Sequence, residues 1–184
     1  MNKRVILLSG KRFSGKNSVC NILFDYCNKI NKSYDTTSFS YTLKKIFCEK
    51  NKLDLNKFIN CHEYKNLYIN ELTSYYKSTN PIIYANAIHE FINNSDKDVI
   101  IIDDLRILLH LEFMKNNFGN IIIIRVNSTD TSKSDRGWTR TEYDNEVCEN
   151  ELDNYEYFDY IIDNNSSLEE LKEKISENIQ KIIN

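Results

Sequence analysis

The sequence predicts a doubly wound α/β fold, in which helices cover both faces of a parallel β-sheet. The stretches "DVIIIDD" at 98–104 and "NIIIIRV" at 120–126 are almost unbroken apolar runs rich in isoleucine, which is typical of parallel strands that are buried on both faces. Elsewhere, as over residues 16–31, apolar residues recur at helical spacing. Strands that alternate with helices in this way favour βαβ units and therefore a parallel sheet.

The individual elements follow from apolar periodicity and from start and stop signals. A first strand over 3–8 ends at Ser9-Gly10, and the helix over 16–31 comes next. The remaining elements are expected in this order: a short strand near 33–39, several helices over 41–92 with Pro81 at a helix start, the strand 98–104, a helix over 106–119 closed by Gly119, the strand 120–126, a polar loop or lid over about 127–144, a last strand over 157–163, and a closing helix over 166–183 with an N-cap serine.

Bulk properties exclude several classes of protein. A chain of 184 residues is expected to form one domain. Its net charge of −3 gives no case for a nucleic-acid partner, and no apolar run is long enough to predict a membrane helix. The five cysteines form no C-x-x-C pair, which indicates free thiols in a reducing compartment. We expect a cytoplasmic protein, and a monomer.

The stretch "LLSGKRFSGKNSV" at 7–19 resembles a phosphate-binding loop, Gly-x-x-x-x-Gly-Lys-[Ser/Thr], between a strand and a helix. Gly10 and Gly15 allow backbone conformations that aim several N–H groups at one anion. The helix N-terminus adds its dipole, and Lys16 can reach the outer phosphates. Ser14 and Ser18 complete the predicted nucleotide-binding stretch. The alternative is a chance match in an ordinary strand-turn-helix.

The residue after the loop lysine is Asn17 rather than a hydroxyl residue. Its amide oxygen is a neutral ligand that can coordinate Mg²⁺ directly or through water. In "IIIDDLR", acidic residues follow a buried strand at the end where α/β sheets place their sites. Asp104 is therefore expected near the metal or its waters, and Arg106 near a transferred phosphoryl group. The alternative for Asp103 and Asp104 is a helix N-cap for 106–117.

The polar segment "KSDRGWTR" places Lys133, Arg136 and Arg140 in the predicted lid. Lids supply cations to phosphoryl transfer and exclude water, although a solvated surface loop would have the same composition. Trp138 would anchor the closed lid or belong to the core. The three histidines show no metal-ligand spacing and are interpreted as structural.

We find no clear general base beside an alcohol acceptor. A phosphate monoester acceptor needs none, because its oxygen is already an anionic nucleophile, and positioning and charge neutralisation then supply most of the catalysis.

The motifs together resemble those of animal-type phosphomevalonate kinases. "SGKRFSGKN" is similar to the loop of that family, which also lacks the hydroxyl after the lysine. The resemblance continues in order along the chain through Ser40-Tyr-Thr-Leu-Lys44, "EYKNLY" at 63–68, "DDLR" at 103–106, "IRV" at 124–126, "RGW" at 136–138, "ENELDN" at 149–154 and "FDYIIDN" at 158–164.

The resemblance implies a P-loop NTPase fold of the nucleoside-monophosphate-kinase type, a three-layer α/β/α arrangement with a flexible lid. It implies ATP and Mg²⁺ as cofactors and a small phosphorylated acceptor bound by the helical region 41–92. By the same resemblance, Lys11 and Arg12 would contact phosphates, and Asn164 would help to hold the nucleotide. Lys16, Arg106, Asp104 and Arg136 would then be the catalytic set.

Departures from the family pattern concern cations. Ile107 stands where a second arginine is common, arginines expected near Ser38 and Ile69 are missing, and Phe13 replaces a lysine of some members. Three hypotheses about the function therefore stay open. The first is 5-phosphomevalonate, giving mevalonate 5-diphosphate. The second is a (deoxy)nucleoside monophosphate stacked on tyrosines 64, 68, 75 or 76. The third is a degenerate relative that binds nucleotide without transferring phosphate.

Overall fold

A computed structural model describes residues 3–184. Five strands form one sheet in the order β2-β3-β1-β4-β5, and every neighbouring pair is parallel. The strands are β1 (Arg4–Ser9), β2 (Tyr34–Thr37), β3 (Val99–Leu105), β4 (Ile121–Asn127) and β5 (Tyr160–Asp163). The predicted parallel α/β fold is therefore confirmed.

Helices fill the connections between the strands. They are α1 (Lys16–Lys29), α2 (Phe39–Asn51), α3 (Leu55–Asn60), α4 (His62–Asn66), α5 (Ile69–Ser78), α6 (Ile82–Asn94), α7 (Leu108–Asn117), α8 (Asp130–Asp135), α9 (Val147–Asn150), α10 (Leu168–Ser176) and α11 (Ile179–Ile183), with a 3₁₀ helix at Glu142–Asn145.

The sheet is covered on both faces, which explains the unbroken apolar runs of its central strands. Successive side chains of a strand point to opposite faces. Ile101 of β3 accordingly belongs to the core beneath α1, α10 and α11. Its neighbours Ile100 and Ile102 belong to the opposite core, which α6 and α7 cover.

A third, smaller core lies within the helical region, away from the sheet. It is built from Phe47, Cys48, Phe58 and Leu72. The tyrosines 64, 68 and 75 pack against this cluster. Three of the four tyrosines considered for base stacking are therefore part of the packing of α2–α5.

Some predicted boundaries differ from the structure. Helix α7 ends at Asn117 with Phe118 in an extended conformation, so Gly119 does not close it. The segment interpreted as a polar loop contains α8, because the Thr129 side chain caps it by accepting from the Ser132 N–H. The single closing helix is divided into α10 and α11 at Glu177-Asn178, and Ser167 is its N-cap.

No helix within residues 3–184 is long and apolar enough to cross a membrane. All five cysteines are free thiols. Cys20, Cys27 and Cys48 are buried, whereas Cys61 is exposed.

Candidate active site

The phosphate loop lies where the strand order reverses direction. The chain enters the sheet at β1, builds β2 and β3 on one side of it, and then crosses to β4 and β5 on the other. Ligands of open α/β sheets bind at the carboxyl ends of the strands at such a switch point. The loop between β1 and α1 occupies this position.

The loop is held in a conformation that requires glycine at two places. Gly10 has a φ of 146° and Gly15 a φ of 99°. A Cβ on Gly10 would lie 2.4 Å from the Val126 carbonyl oxygen, and one on Gly15 would lie 2.0 Å from Asn164 Nδ2. Phe13 also has a positive φ, 58°, and is 45% exposed.

Lys16 folds back over this loop and is buried. Its ammonium group donates to the carbonyl oxygens of Gly10 at 2.8 Å and Lys11 at 2.9 Å. Burial and, to a lesser extent, the positive charge of Arg106 lower the pKa of Lys16 to about 8, against the opposing effect of Glu149. Two cations thus lie close together in a partly dehydrated site.

Asn164, predicted to hold the nucleotide, contacts the loop itself. Its side-chain amide donates to the Ser14 carbonyl oxygen at 2.9 Å in a buried position. The Ser14 hydroxyl is buried and has no hydrogen-bond partner among the described residues. Asn164 therefore fixes the loop from the β5 side and leaves the Ser14 hydroxyl available to a ligand.

The two aspartates at the end of β3 face opposite sides of the sheet. Asp104 accepts from the backbone N–H groups of Phe39 at 2.6 Å and Ser40 at 2.8 Å, so it caps α2 rather than the helix after Arg106. Asp103 faces α1 and influences the charge of Lys16. Burial and the neighbouring Asp104 raise the pKa of Asp103 to about 6.

This geometry changes the prediction for the metal. Both Asp104 oxygens are engaged by backbone N–H groups, and burial raises the pKa of Asp104. Asp103, which sequence reasoning considered only as a helix cap, is the β3 carboxylate on the same side as Lys16. Asn17 is exposed on the first turn of α1. Within residues 3–184, no group of three or more His, Cys, Asp or Glu side chains could hold a metal ion.

The two loop cations before Phe13 are engaged by the segment 141–153. Lys11 forms an ion pair with Asp153 at 2.6 Å and donates to Asn150 at 2.9 Å. Arg12 donates to Thr141 at 2.9 Å, and its guanidinium lies 5.7 Å from the ring centre of Phe13. The same guanidinium lies 5.9 Å from the ring centre of Tyr143 and 3.6 Å from an Asp144 oxygen.

Arg106 is paired with Glu149, the first residue of the motif "ENELDN", for which the sequence predicts no role. The Glu149 side chain is 1% exposed and that of Arg106 is 23% exposed. The other Glu149 oxygen accepts from the backbone N–H of Arg12 at 3.0 Å. The sequence does not predict that Glu149 bridges Arg106 and Arg12, because these partners are 43 and 137 positions away along the chain.

The predicted lid residues have different surroundings. Lys133 is buried, pairs with Asp130 at 2.6 Å and lies 4.1 Å from the ring centre of Trp138. Arg136 donates to the Asn164 carbonyl oxygen at 3.2 Å, which ties α8 to the loop after β5. Arg140 donates to Asn145 at 3.2 Å and stays exposed. Trp138 is 7% exposed, so it anchors this segment.

Two cavities flank the loop. The first, here called the lid-side cavity, has a volume of about 470 Å³ and lies between the phosphate loop, the ends of β4 and β5, and α8. Its lining includes Lys11, Ser14, Arg125, Asn127, Lys133 and Asn165. Arg125, which sequence reasoning did not single out, pairs with Asp153 at 2.5 Å and donates to the Ser9 hydroxyl at 3.1 Å.

The second, here called the helix-side cavity, has a volume of about 530 Å³ and lies between α2, α4, α5, α6, the start of α7 and the segment 143–148. Its lining includes Lys44, Lys65, Tyr76, Lys77, Tyr84, Arg106 and His110. His110, interpreted as structural, stacks on Phe39 with ring centres 3.9 Å apart. Burial lowers the pKa of His110 to about 4, so the ring is neutral at physiological pH.

Comparisons with solved structures agree on the fold. A shikimate kinase from Aquifex aeolicus superposes with a TM-score of 0.51 at 17% identity, covering 96% of each chain. A gluconokinase from Sinorhizobium meliloti 1021 gives 0.56 at 12% identity, covering 99% of this chain and 94% of the other. An APS kinase from Mycobacterium tuberculosis, solved with AMPPNP and APS, gives 0.53 at 9% identity, covering 97% and 98%.

The family itself is identified from sequence. The family described as phosphomevalonate kinase matches residues 8–120, which span the phosphate loop, the helices of the helix-side cavity and β3 with Arg106. This is more than half of the chain, and it agrees with the resemblance that the motifs carry. The chain belongs to the phosphomevalonate kinase family, and it is a kinase.

Proposed function

We propose that this kinase transfers the γ-phosphoryl group of ATP to the phosphate of 5-phosphomevalonate, giving mevalonate 5-diphosphate and ADP. The observation that supports this choice of acceptor is the charge of the helix-side cavity. Its lining has four cations, Arg106, Lys44, Lys65 and Lys77, against two carboxylates, Asp104 and Glu146. Within residues 3–184, no carboxylate oxygen lies within 4.0 Å of any of the three lysine ammonium groups.

Three lysines without an ion pair to any described residue, in the same cavity as Arg106, fit an acceptor with two anionic groups. The pKa of Lys44 is lowered by burial and by the nearby charge of Lys65, so an anion between them would relieve both effects. A phosphate beside Arg106 and a carboxylate beside the lysines would use the whole set. These lysines are also suited to replace the family arginines that are missing near Ser38 and Ile69. Ser38 instead caps α2, accepting from the Tyr41 N–H at 2.9 Å.

ATP would occupy the lid-side cavity, with its phosphates on the loop. Lys16, Lys11 and the buried Ser14 hydroxyl would bind the phosphates, and Lys133 would act from α8. Asn17 and Asp103 fit an assisting role toward Mg²⁺, because both offer oxygen ligands at the start of α1 and the end of β3. When bound, Mg²⁺ would neutralise part of the charge on the nucleotide phosphates.

The transfer itself needs no general base. An anionic phosphate oxygen of the acceptor attacks the γ-phosphorus, the bond from that phosphorus to the bridging oxygen breaks, and ADP leaves with the electron pair. Lys16 and Arg106 would stabilise the charge that spreads over the transferred group. Arg136 would act indirectly, because it holds α8 to the loop after β5.

A nucleoside monophosphate is the second candidate, favoured by the aromatic part of the same cavity. The stacked Phe39–His110 pair, Tyr76 and Tyr84 all line it. The buried Tyr84 hydroxyl has no hydrogen-bond partner among the described residues, so a base edge could supply one. A nucleoside monophosphate has a single phosphate, however, and would leave the three lysines without an anion.

A coupled ADP-release assay tests the proposal, using purified protein with ATP, Mg²⁺ and either 5-phosphomevalonate or a panel of ribo- and deoxyribonucleoside monophosphates. Turnover of 5-phosphomevalonate is expected, with Lys16→Ala as the inactive control. Turnover of a nucleotide alone would replace the first candidate by the second. ATP binding by calorimetry without turnover of any acceptor would identify a degenerate relative.

A further inference from the structure

Glu149 is a buried carboxylate that joins the two halves of the site. One of its oxygens accepts from the guanidinium of Arg106, and the other accepts from the backbone N–H of Arg12 at 3.0 Å. Arg106 lines the helix-side cavity, whereas Arg12 lies in the phosphate loop. A single side chain, 1% exposed, therefore bridges Arg106 and the phosphate loop.

Electrostatics give a reason for a carboxylate at this place. Lys16 and Arg106 are close enough for Arg106 to disfavour the charge of Lys16, and Glu149 favours that charge. Two cations needed around one phosphoryl group repel each other before the substrates arrive. A buried anion that is hydrogen-bonded to one of them offsets this repulsion and keeps both in place.

The contact leaves most of the guanidinium free. A guanidinium carries five N–H donors in a planar fork. Only NH1 of Arg106 is engaged by Glu149. Nε and NH2 make no hydrogen bond to any described residue, so they stay available to phosphate oxygens. Glu149 therefore orients Arg106 without occupying the position of a phosphate.

We propose that Glu149 is a positioning residue for phosphoryl transfer, which holds Arg106 at a fixed distance from the phosphate loop. This inference rests on the proposed function, since it assigns Arg106 to the transferred group. It concerns the rate of transfer rather than the binding of ATP. Misplacing a catalytic group by about 1 Å can cost on the order of 100-fold in rate.

The test compares Glu149→Gln with Glu151→Gln, a neighbouring exposed glutamate with no ion pair to any residue of 3–184. The carboxamide keeps the size of the side chain and can still accept from the Arg12 N–H, but it loses the charge that holds Arg106. We expect kcat to fall by roughly 10- to 100-fold, while the ATP dissociation constant changes by less than about threefold. Glu151→Gln should leave both unchanged.

Further variants separate positioning from folding. Glu149→Asp keeps the charge but is one methylene shorter, so its kcat should lie between those of the wild type and Glu149→Gln. In an Arg106→Lys background, Glu149→Gln should cost much less than in the wild type, because the two residues act as a unit. A lower Tm with unchanged kcat would overturn the proposal, and so would a higher kcat or tighter ATP binding.

A readout without turnover keeps this proposal distinct from the proposed function. If the wild type phosphorylates no acceptor, the proposed function fails, and Arg106 is then followed by its modification with phenylglyoxal, mapped by mass spectrometry. The modification rate of Arg106 should rise severalfold in Glu149→Gln relative to the wild type and Glu151→Gln. An unchanged rate would show that Glu149 does not hold Arg106.

Discussion

The lid-side and helix-side cavities have similar volumes, about 470 and 530 Å³, but they are built differently. The lid side consists largely of strand ends and of a loop whose backbone is fixed by Gly10, Gly15 and Asn164. The helix side is lined mainly by side chains of α2, α4 and α5. Under the proposed function, nucleotide binding would thus be tied to the sheet, whereas acceptor binding would depend on a few replaceable side chains.

The largest effect is expected for Lys16→Ala, which tests the assignment of the phosphate loop. Lys16→Ala removes the cation at the centre of the site, and we expect kcat to fall by on the order of 10³-fold because charge on the transferred group loses its stabilisation. The coupled assay measures this, with Lys29→Ala, an exposed lysine of the same helix, as control. Retained activity would contradict the assignment of the loop.

A glycine substitution tests the claim that the lid side depends on backbone geometry. In Gly15→Ala the added Cβ would meet Asn164 Nδ2 at 2.0 Å at a φ of 99°. The Asn164–Ser14 hydrogen bond should break, and kcat/KM for ATP should fall by on the order of 100-fold. The matched control is Gly119→Ala, where a Cβ has no neighbour within 4 Å. Equal effects of the two would argue against a fixed loop.

Removing one lysine tests the claim that the helix side depends on side-chain charge. Lys44→Gln should raise KM for 5-phosphomevalonate by roughly 10- to 30-fold, corresponding to about 1.5–2 kcal/mol for a lost charged hydrogen bond. KM for ATP should stay within about twofold. Lys45→Gln, its exposed neighbour, is the control. A change in KM for ATP alone would contradict the assignment of Lys44 to the acceptor.

The pH dependence of ATP binding gives a smaller and sharper test. The pKa of Lys16, lowered to about 8 by burial, means that the free enzyme loses this charge as the pH rises through 8. Because ATP binds the charged form, its dissociation constant should rise about tenfold from about pH 7 to about pH 9. Calorimetry measures this, and the rise should be absent in Lys16→Met. A flat profile in the wild type would contradict it.

The sequence predicts the lid-side cavity better than the helix-side cavity. The phosphate loop could be predicted because its glycines, its lysine and the following helix are contiguous. The two-residue period of a strand already implied that Asp103 and Asp104 face opposite ways. Which of them faces α1 depends on how the helices cover the sheet. The sequence therefore predicts Asp104 near the metal, whereas in the structure it caps α2.

Other parts of the site could not be predicted, because they arise only from the packing of distant segments. Glu149 meets Arg106 and Arg12 through a chain separation of 43 and 137 residues. The four tyrosines considered for base stacking are equally suited to a ligand by sequence, yet of these four only Tyr76 lines the helix-side cavity, because the other three pack against the hydrophobic cluster of the helical region. Aromatic content alone did not distinguish packing from binding.

The separate core of the helical region has an evolutionary consequence. Helices α3, α4 and α5 make their principal contacts with one another or with α2, and Phe47, Phe58 and Leu72 hold them together. Mutations on their cavity surface therefore cost the sheet little, and the catalytic edge need not move when they accumulate. The segment 55–78 can therefore diverge as a unit while the strand ends and the phosphate loop stay in place.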